Sequence, residues 1–258
     1  MLTSVQNPLV KQIRKLHQSK GRREQQLFLV EGTHLLEEAC ATGYPLVTVC
    51  CTPEWQEKHR SLWNLVCQTA KRTELVSDRV LRTLATTVNP DGVVATALQA
   101  QTNNVKITGL GIALERVQDP GNFGTIIRTA TATSVDGVWL SPDSVDLYHP
   151  KVVRGSAGVW FRLPMAIAID LKSQIGQLQT QGLQIVATAT DATINYWEID
   201  LRKPTVILLG NEGSGLSHDL LSLANYSVKI PLSNGVESLN VAICTALILY
   251  EARRQRQG

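Results

Sequence analysis

The chain has 258 residues, of which 43% are apolar and 18% charged. That composition suits one or two globular domains and excludes a disordered, charge-solvated tail protein. The basic excess, 25 Lys plus Arg against 22 Asp plus Glu, is too small to prove a nucleic-acid partner by itself.

The excess lies in residues 1–103. Within 10–23 stand Lys11, Arg14, Lys15, Lys20, Arg22 and Arg23, with no acidic residue among them. The five cysteines (Cys40, Cys50, Cys51, Cys67, Cys244) form no C-x-x-C and have no histidine spaced as a zinc partner. We therefore expect neither a disulfide framework nor a metal site, but free buried thiols in a reducing cytoplasm. No apolar signal-peptide core opens the chain. The longest apolar stretch, 241–250, falls short of the roughly 20 residues a membrane span needs, so no membrane partner is expected.

The first helix opens with Asn7 as cap and Pro8 in the first position, with Leu9, Ile13 and Leu16 on one face. LFLVEG (27–32) reads as a strand, 33–43 as a helix, LVTVCC (46–51) as a strand, 54–70 as one helix, 77–87 as another and 93–99 as a strand. This alternation predicts a small α/β domain over 1–100. The polar, aperiodic stretch 101–108 reads as a linker. From 109 to 258 buried strands alternate with helices more regularly, which predicts a mostly parallel sheet covered on both faces. The five tryptophans, Trp55, Trp63, Trp139, Trp160 and Trp197, are expected in cores.

In such a sheet, ligands bind beyond the carboxyl ends of the strands. Three of these ends are unusual. DPGNFGTIIRTA (119–130) offers Asn122 and Arg128, and Arg128 is either an anchor for a carboxylate or a cation facing substrate. LLGNEGSGLS (208–217) surrounds Asn211 and Glu212 with glycine, where an acid is either a turn-former or a site residue; it lacks the G-K-[ST] of a Walker loop. IPLSNGVESLNVA (230–242) leads into the last helix, which Ser238 or Glu237 could simply cap. No nucleophile–base pair and no H-E-x-x-H accompanies them, so covalent hydrolysis and metal chemistry are disfavoured. The missing G-x-G-x-x-G disfavours a dinucleotide oxidoreductase.

These three segments, in this order, resemble the three motifs of the SpoU/TrmH family of RNA ribose 2′-O-methyltransferases, of the SPOUT class. PKVVRGSAGVWFRLP (150–164) resembles the stretch between the first two. VQNPLVKQIRKL and FLVEGTHLLEEA resemble the L30e-like substrate-binding domain of the ribosomal-RNA members. The resemblance implies a trefoil-knotted α/β methyltransferase domain, a homodimer and S-adenosylmethionine as cofactor. It implies Arg128, Glu212, Asn122, Ser238 and Asn240 as catalytic or near-catalytic residues. For the cofactor it implies Thr188, Leu209, Gly210, Asn211, Gly213, Ile230, Pro231, Leu232, Ser238, Leu239 and Asn240. The expected substrate is 23S rRNA, with Lys11, Arg14, Lys15, Arg22 and Arg23 touching its backbone. A tRNA substrate and a non-catalytic RNA-binding protein on the same fold are the alternatives. Phe123, Leu232 and Thr133–Ser134 depart from the family pattern, and none of them removes a polar site residue.

Overall fold

A computed structural model of the chain describes residues 1–99 and 105–257. The chain divides into two compact units, Met1–Ala100 with Asp146–Phe161, and Gln101–Val145 with Arg162–Gly258. Residues 101–104 of the expected linker lie outside the described residues. The rest of that stretch is not a free linker, because Val105 and Ile107 are buried in the core of the second unit.

The first unit holds a four-stranded sheet of β1 (Leu27–Glu31), β2 (Leu46–Cys51), β3 (Arg72–Leu75) and β4 (Val93–Leu98), in the order β1-β4-β2-β3. β4 runs antiparallel to both neighbours, and β3 pairs parallel to β2. β3 has no counterpart in the sequence reading, since Arg-Thr-Glu-Leu lacks an apolar alternation and adds only at the sheet edge. The first helix, Pro8–Arg14, begins as expected, with the Asn7 side chain accepting from the Leu9 amide at 2.9 Å. Its Val10 and Ile13, with Leu16, pack in a core that includes Val80, Leu81 and Leu84. The single helix expected over 54–70 is two, Pro53–Lys58 and Arg60–Thr69, broken at His59.

Residues 146–161, expected in the second domain, belong to the first unit. Aromatic packing and ion pairs explain this. The ring centroid of Phe28 lies 5.1 Å from that of Tyr148 and 4.9 Å from that of Trp160, and Tyr44 meets Phe161 at 5.2 Å. Arg22 donates to Asp146 Oδ2 through Nε at 2.9 Å and Nη2 at 2.7 Å. Arg154 donates to the buried Glu31 at 3.0 Å and to Thr86 Oγ1 at 2.6 Å.

The second unit is built on β5 (Leu110–Leu114), β6 (Gly137–Leu140), β7 (Met165–Ile167), β8 (Gln184–Thr188), β9 (Ile194–Asn195), β10 (Thr205–Leu209) and β11 (Tyr226–Lys229). They form one sheet in the order β7-β6-β5-β10-β8-β11-β9, with every pair parallel. Chain order reverses around β10, which lies between β5 and β8. The carboxyl ends of β5, β10 and β11 carry the three glycine-containing segments, where an open parallel sheet holds ligands. Helix Pro120–Ala132 packs against the last helix, Val241–Gln257.

Two expectations about side chains need correction. Trp197 is 48% exposed, although Trp55, Trp139 and Trp160 are buried. Cys67 is exposed, whereas burial pushes the Cys50 and Cys51 thiols up to about 12. Among the described residues, no helix is long and apolar enough to cross a membrane.

Candidate active site

Each segment is fixed locally before the three meet. In the first, Asp119 caps the helix by accepting from the Asn122 amide at 2.7 Å, and Pro120 takes the first helical position. Phe123, Ile126, Ile127 and Ala130 face the core, leaving Asn122, Thr125 and Arg128 on the outward side. In the second, Asn211 and Gly215 bond each other's backbones at 3.1 and 2.9 Å. The Asn211 side-chain Oδ1 accepts from the Gly213 and Ser214 amides at 2.9 and 3.1 Å, and its Nδ2 donates to the Arg116 carbonyl at 2.9 Å. The loop closes so tightly that a Cβ on Gly210 would stand 2.2 Å from the Gly215 carbonyl carbon. In the third, the helix cap is Asn240 rather than Ser238 or Glu237. Its Oδ1 accepts from the Ala242 amide at 2.9 Å.

The three segments then join through side chains. Asn240 Nδ2 donates to Asn122 Oδ1 at 2.9 Å, and Asn122 Nδ2 donates to Glu212 Oε1. One carboxylate and two amides, drawn from three strand ends, thus form a single hydrogen-bonded chain. Glu212 also lines a cavity of about 730 Å³ shaped by the loops after β8, β10 and β11. Asn122 and Asn240 line a second groove of about 560 Å³ along the last helix.

All the residues assigned to the cofactor line the larger cavity except Pro231 and Asn240. The carboxylates on its wall are Asp191, Glu212 and Glu237, and among the described residues no Lys, Arg or His lines it. That donor set fits a cationic ligand. Asp191, in the loop after β8, and Cys244, on the last helix, escaped the sequence reading. Neither stands in one of the three glycine loops; the helical spacing from Asn240 to Cys244 could have revealed the second. Burial raises the Cys244 thiol, which keeps it protonated.

Arg128 is exposed, lines neither cavity and has no hydrogen bond or ion pair among the described residues. The structure therefore does not bring it into the Asn240–Asn122–Glu212 chain. Of the proposed RNA-contacting set, Lys11, Arg14, Lys15 and Arg23 are exposed. Arg22 is the exception, at 1% exposure. Besides Asp146 it donates to the Leu16 carbonyl at 2.8 Å and the His17 carbonyl at 3.1 Å. It cannot face a nucleic acid while these bonds hold. Among the described residues, no group of three or more His, Cys, Asp or Glu could hold a metal ion.

Comparison with known proteins finds a match to the SpoU rRNA Methylase family over residues 109–250 and to the MRM3-like substrate binding domain over residues 7–95. The chain belongs to the SpoU rRNA methylase family. An uncharacterized tRNA/rRNA methyltransferase of Synechocystis sp. is 50% identical over 257 residues, covering 99% of this chain and 94% of its own. The 23S rRNA (guanosine(2553)-2′-O)-methyltransferase of Bacillus subtilis is 30% identical over 252 residues, covering 98% of each chain. The AdoMet-bound rRNA methyltransferase from Sinorhizobium meliloti superposes with a TM-score of 0.89 at 34% identity, covering 98% of this chain and 97% of that one. This SpoU methylase thus has a methyltransferase domain of the SPOUT fold preceded by a substrate-binding domain, and S-adenosylmethionine is its cofactor.

Proposed function

We propose that this SpoU methylase transfers a methyl group to a ribose 2′-hydroxyl of 23S rRNA, acting as a homodimer in the cytoplasm. The observation that carries the reading is the hydrogen-bonded chain from Asn240 through Asn122 to Glu212, which ends on the wall of the cavity lined by the family's cofactor positions. The match of residues 7–95 to a substrate-binding domain and the full-length 23S rRNA relative favour ribosomal RNA. Five free thiols suit a reducing compartment.

When bound, S-adenosylmethionine supplies an electrophilic methyl group for in-line displacement by the ribose oxygen. The cavity residues would hold it, with the backbones of Gly210, Ile230 and Leu239 as its main contacts and Thr188 and Ser238 beside them. Asn122 and Asn240 hold the first and third loops together, and Glu212 anchors that pair to the second. Alignment of oxygen, methyl and sulfur depends on this fixed geometry. The attacking hydroxyl is a weak nucleophile until its proton is drawn off. A guanidinium is a poor base, so Arg128 serves the reaction in another way. It positions the ribose or an adjacent phosphate and stabilises the developing alkoxide. Its exposure and lack of partners among the described residues leave its five donors available for RNA.

The test is Arg128→Ala, assayed by calorimetry with S-adenosylmethionine and by methyl transfer to 23S rRNA transcripts, with the 2′-O-methyl site mapped. Turnover should fall about 100-fold or more while cofactor affinity stays within about 3-fold. Loss of cofactor binding would remove this role from Arg128. Absence of any ribose methylation by the unaltered protein would favour the RNA-binding alternative.

A further inference from the structure

The cofactor cavity has a one-sided charge that the chemistry of methyl transfer does not by itself require. Its three carboxylates come from separate loops, and among the described residues no cationic side chain on the wall balances them. Glu212 is engaged by Asn122. Asp191 and Glu237 are exposed and carry no hydrogen bond or ion pair among the described residues, so neither is held in place as part of the loop framework. The remaining ionisable group on the wall, the Cys244 thiol, is kept neutral by burial.

The reaction changes the charge of the cavity's occupant. The methyl carbon leaves sulfur and bonds to the ribose oxygen. The sulfur keeps the electron pair of the broken bond, and the hydroxyl proton departs to a base or to solvent. The donor enters with one net positive charge, from a sulfonium, an ammonium and a carboxylate. The product, S-adenosylhomocysteine, keeps the ammonium and the carboxylate and is neutral overall. Donor and product are otherwise nearly the same shape, so packing discriminates weakly between them, whereas an electrostatic wall acts on the one property that differs. Like charges in a concave site also focus their field more than they would on an open surface.

We propose that Asp191 and Glu237 are specificity-determining residues that read the charge at the cofactor's sulfur. They favour the sulfonium donor over the neutral thioether product, and so weaken product inhibition. This rests on the assignment of the cavity to S-adenosylmethionine.

The experiment is calorimetry on the full chain, with and without the paired substitutions Asp191→Asn and Glu237→Gln. Both replacements keep side-chain size and remove charge. Three probes are used: S-adenosylmethionine, S-adenosylhomocysteine and sinefungin, in which an ammonium replaces the methylsulfonium. In the double variant, affinity for the two cationic probes should fall about 3- to 10-fold, while that for S-adenosylhomocysteine stays within about 2-fold. In the unaltered protein the preference for cationic probes over S-adenosylhomocysteine should shrink as salt rises. An unchanged ratio of donor to product affinity in the double variant would overturn the proposal. So would an equal loss for all three probes, because that would reveal a packing role. If the unaltered protein bound none of the three, the assignment of the cavity itself would fail, a result separate from either of these.

Discussion

Arg22 and its neighbours in sequence have the same charge and opposite fates. Arg22 is enclosed, with Asp146 and two backbone carbonyls taking its donors, whereas Lys11, Arg14, Lys15 and Arg23 meet solvent. Removing one partner of a buried ion pair leaves the other uncompensated, and the Asp146 side chain is only 27% exposed. Arg22→Ala should therefore destabilise the protein by about 3 kcal/mol in urea unfolding. The quadruple substitution of Lys11, Arg14, Lys15 and Arg23 by Ala should leave the unfolding midpoint nearly unchanged. It should instead weaken rRNA binding and flatten its dependence on salt, because phosphate contacts release counterions. Equal RNA binding by this variant at all salt concentrations would remove these residues from the interface. A run of basic residues announces a charged surface, but it does not say which member turns inward. The partner that draws Arg22 in lies far along the chain, at position 146, and no local pattern reveals it.

The elements that carry the site were the most legible, and the reasons are local. A strand end followed by Asp-Pro-Gly, a loop with three glycines and a glycine turn entering a helix each encode a backbone that few other residues allow. Gly210 shows how strict this is. A side chain there meets the backbone of Gly215 rather than a movable side chain, so the loop must open to accept it. Gly210→Ala should abolish measurable S-adenosylmethionine binding in calorimetry while the far-ultraviolet circular dichroism stays that of the unaltered protein, since the clash lies in a loop outside the sheet. Retained affinity would mean that the loop adapts. The elements that were not legible depend on partners elsewhere. β3 exists because β2 offers it an edge, and the stretch 146–161 joins the first unit because Phe28, Tyr44, Arg22 and Glu31 receive it. Val105 and Ile107 look like linker residues until Gly137 and Gly111 leave room for them. A Cβ on either glycine would come within 2.4 Å or 2.3 Å of these side chains.

At the scale of the whole molecule, the last helix presents an apolar face that one copy of the chain leaves uncovered. Ile243, Leu247 and Tyr250 are 51%, 37% and 54% exposed, and they line the groove that Asn122 and Asn240 also border. Contiguous apolar exposure of this kind marks an association surface. In the proposed homodimer, a second copy would cover this face beside Asn122 and Asn240. Leu247→Asp should convert a dimer into a monomer in light scattering and reduce methyl transfer in proportion, because a buried unpaired carboxylate opposes association. A monomeric unaltered protein would exclude this arrangement.

The link through Asn122 gives the three loops a shared grammar. Its amide is spoken for at both ends, nitrogen toward Glu212 and oxygen toward Asn240, so the orientation of one side chain is decided by two neighbours that lie about ninety and well over one hundred residues away. An aspartate at 122 would set two carboxylates face to face, a leucine would silence both contacts, and a lysine could answer only one. The three positions therefore answer to one another: a substitution at 122 that cannot both donate and accept leaves Glu212 or Asn240 without its partner in this chain.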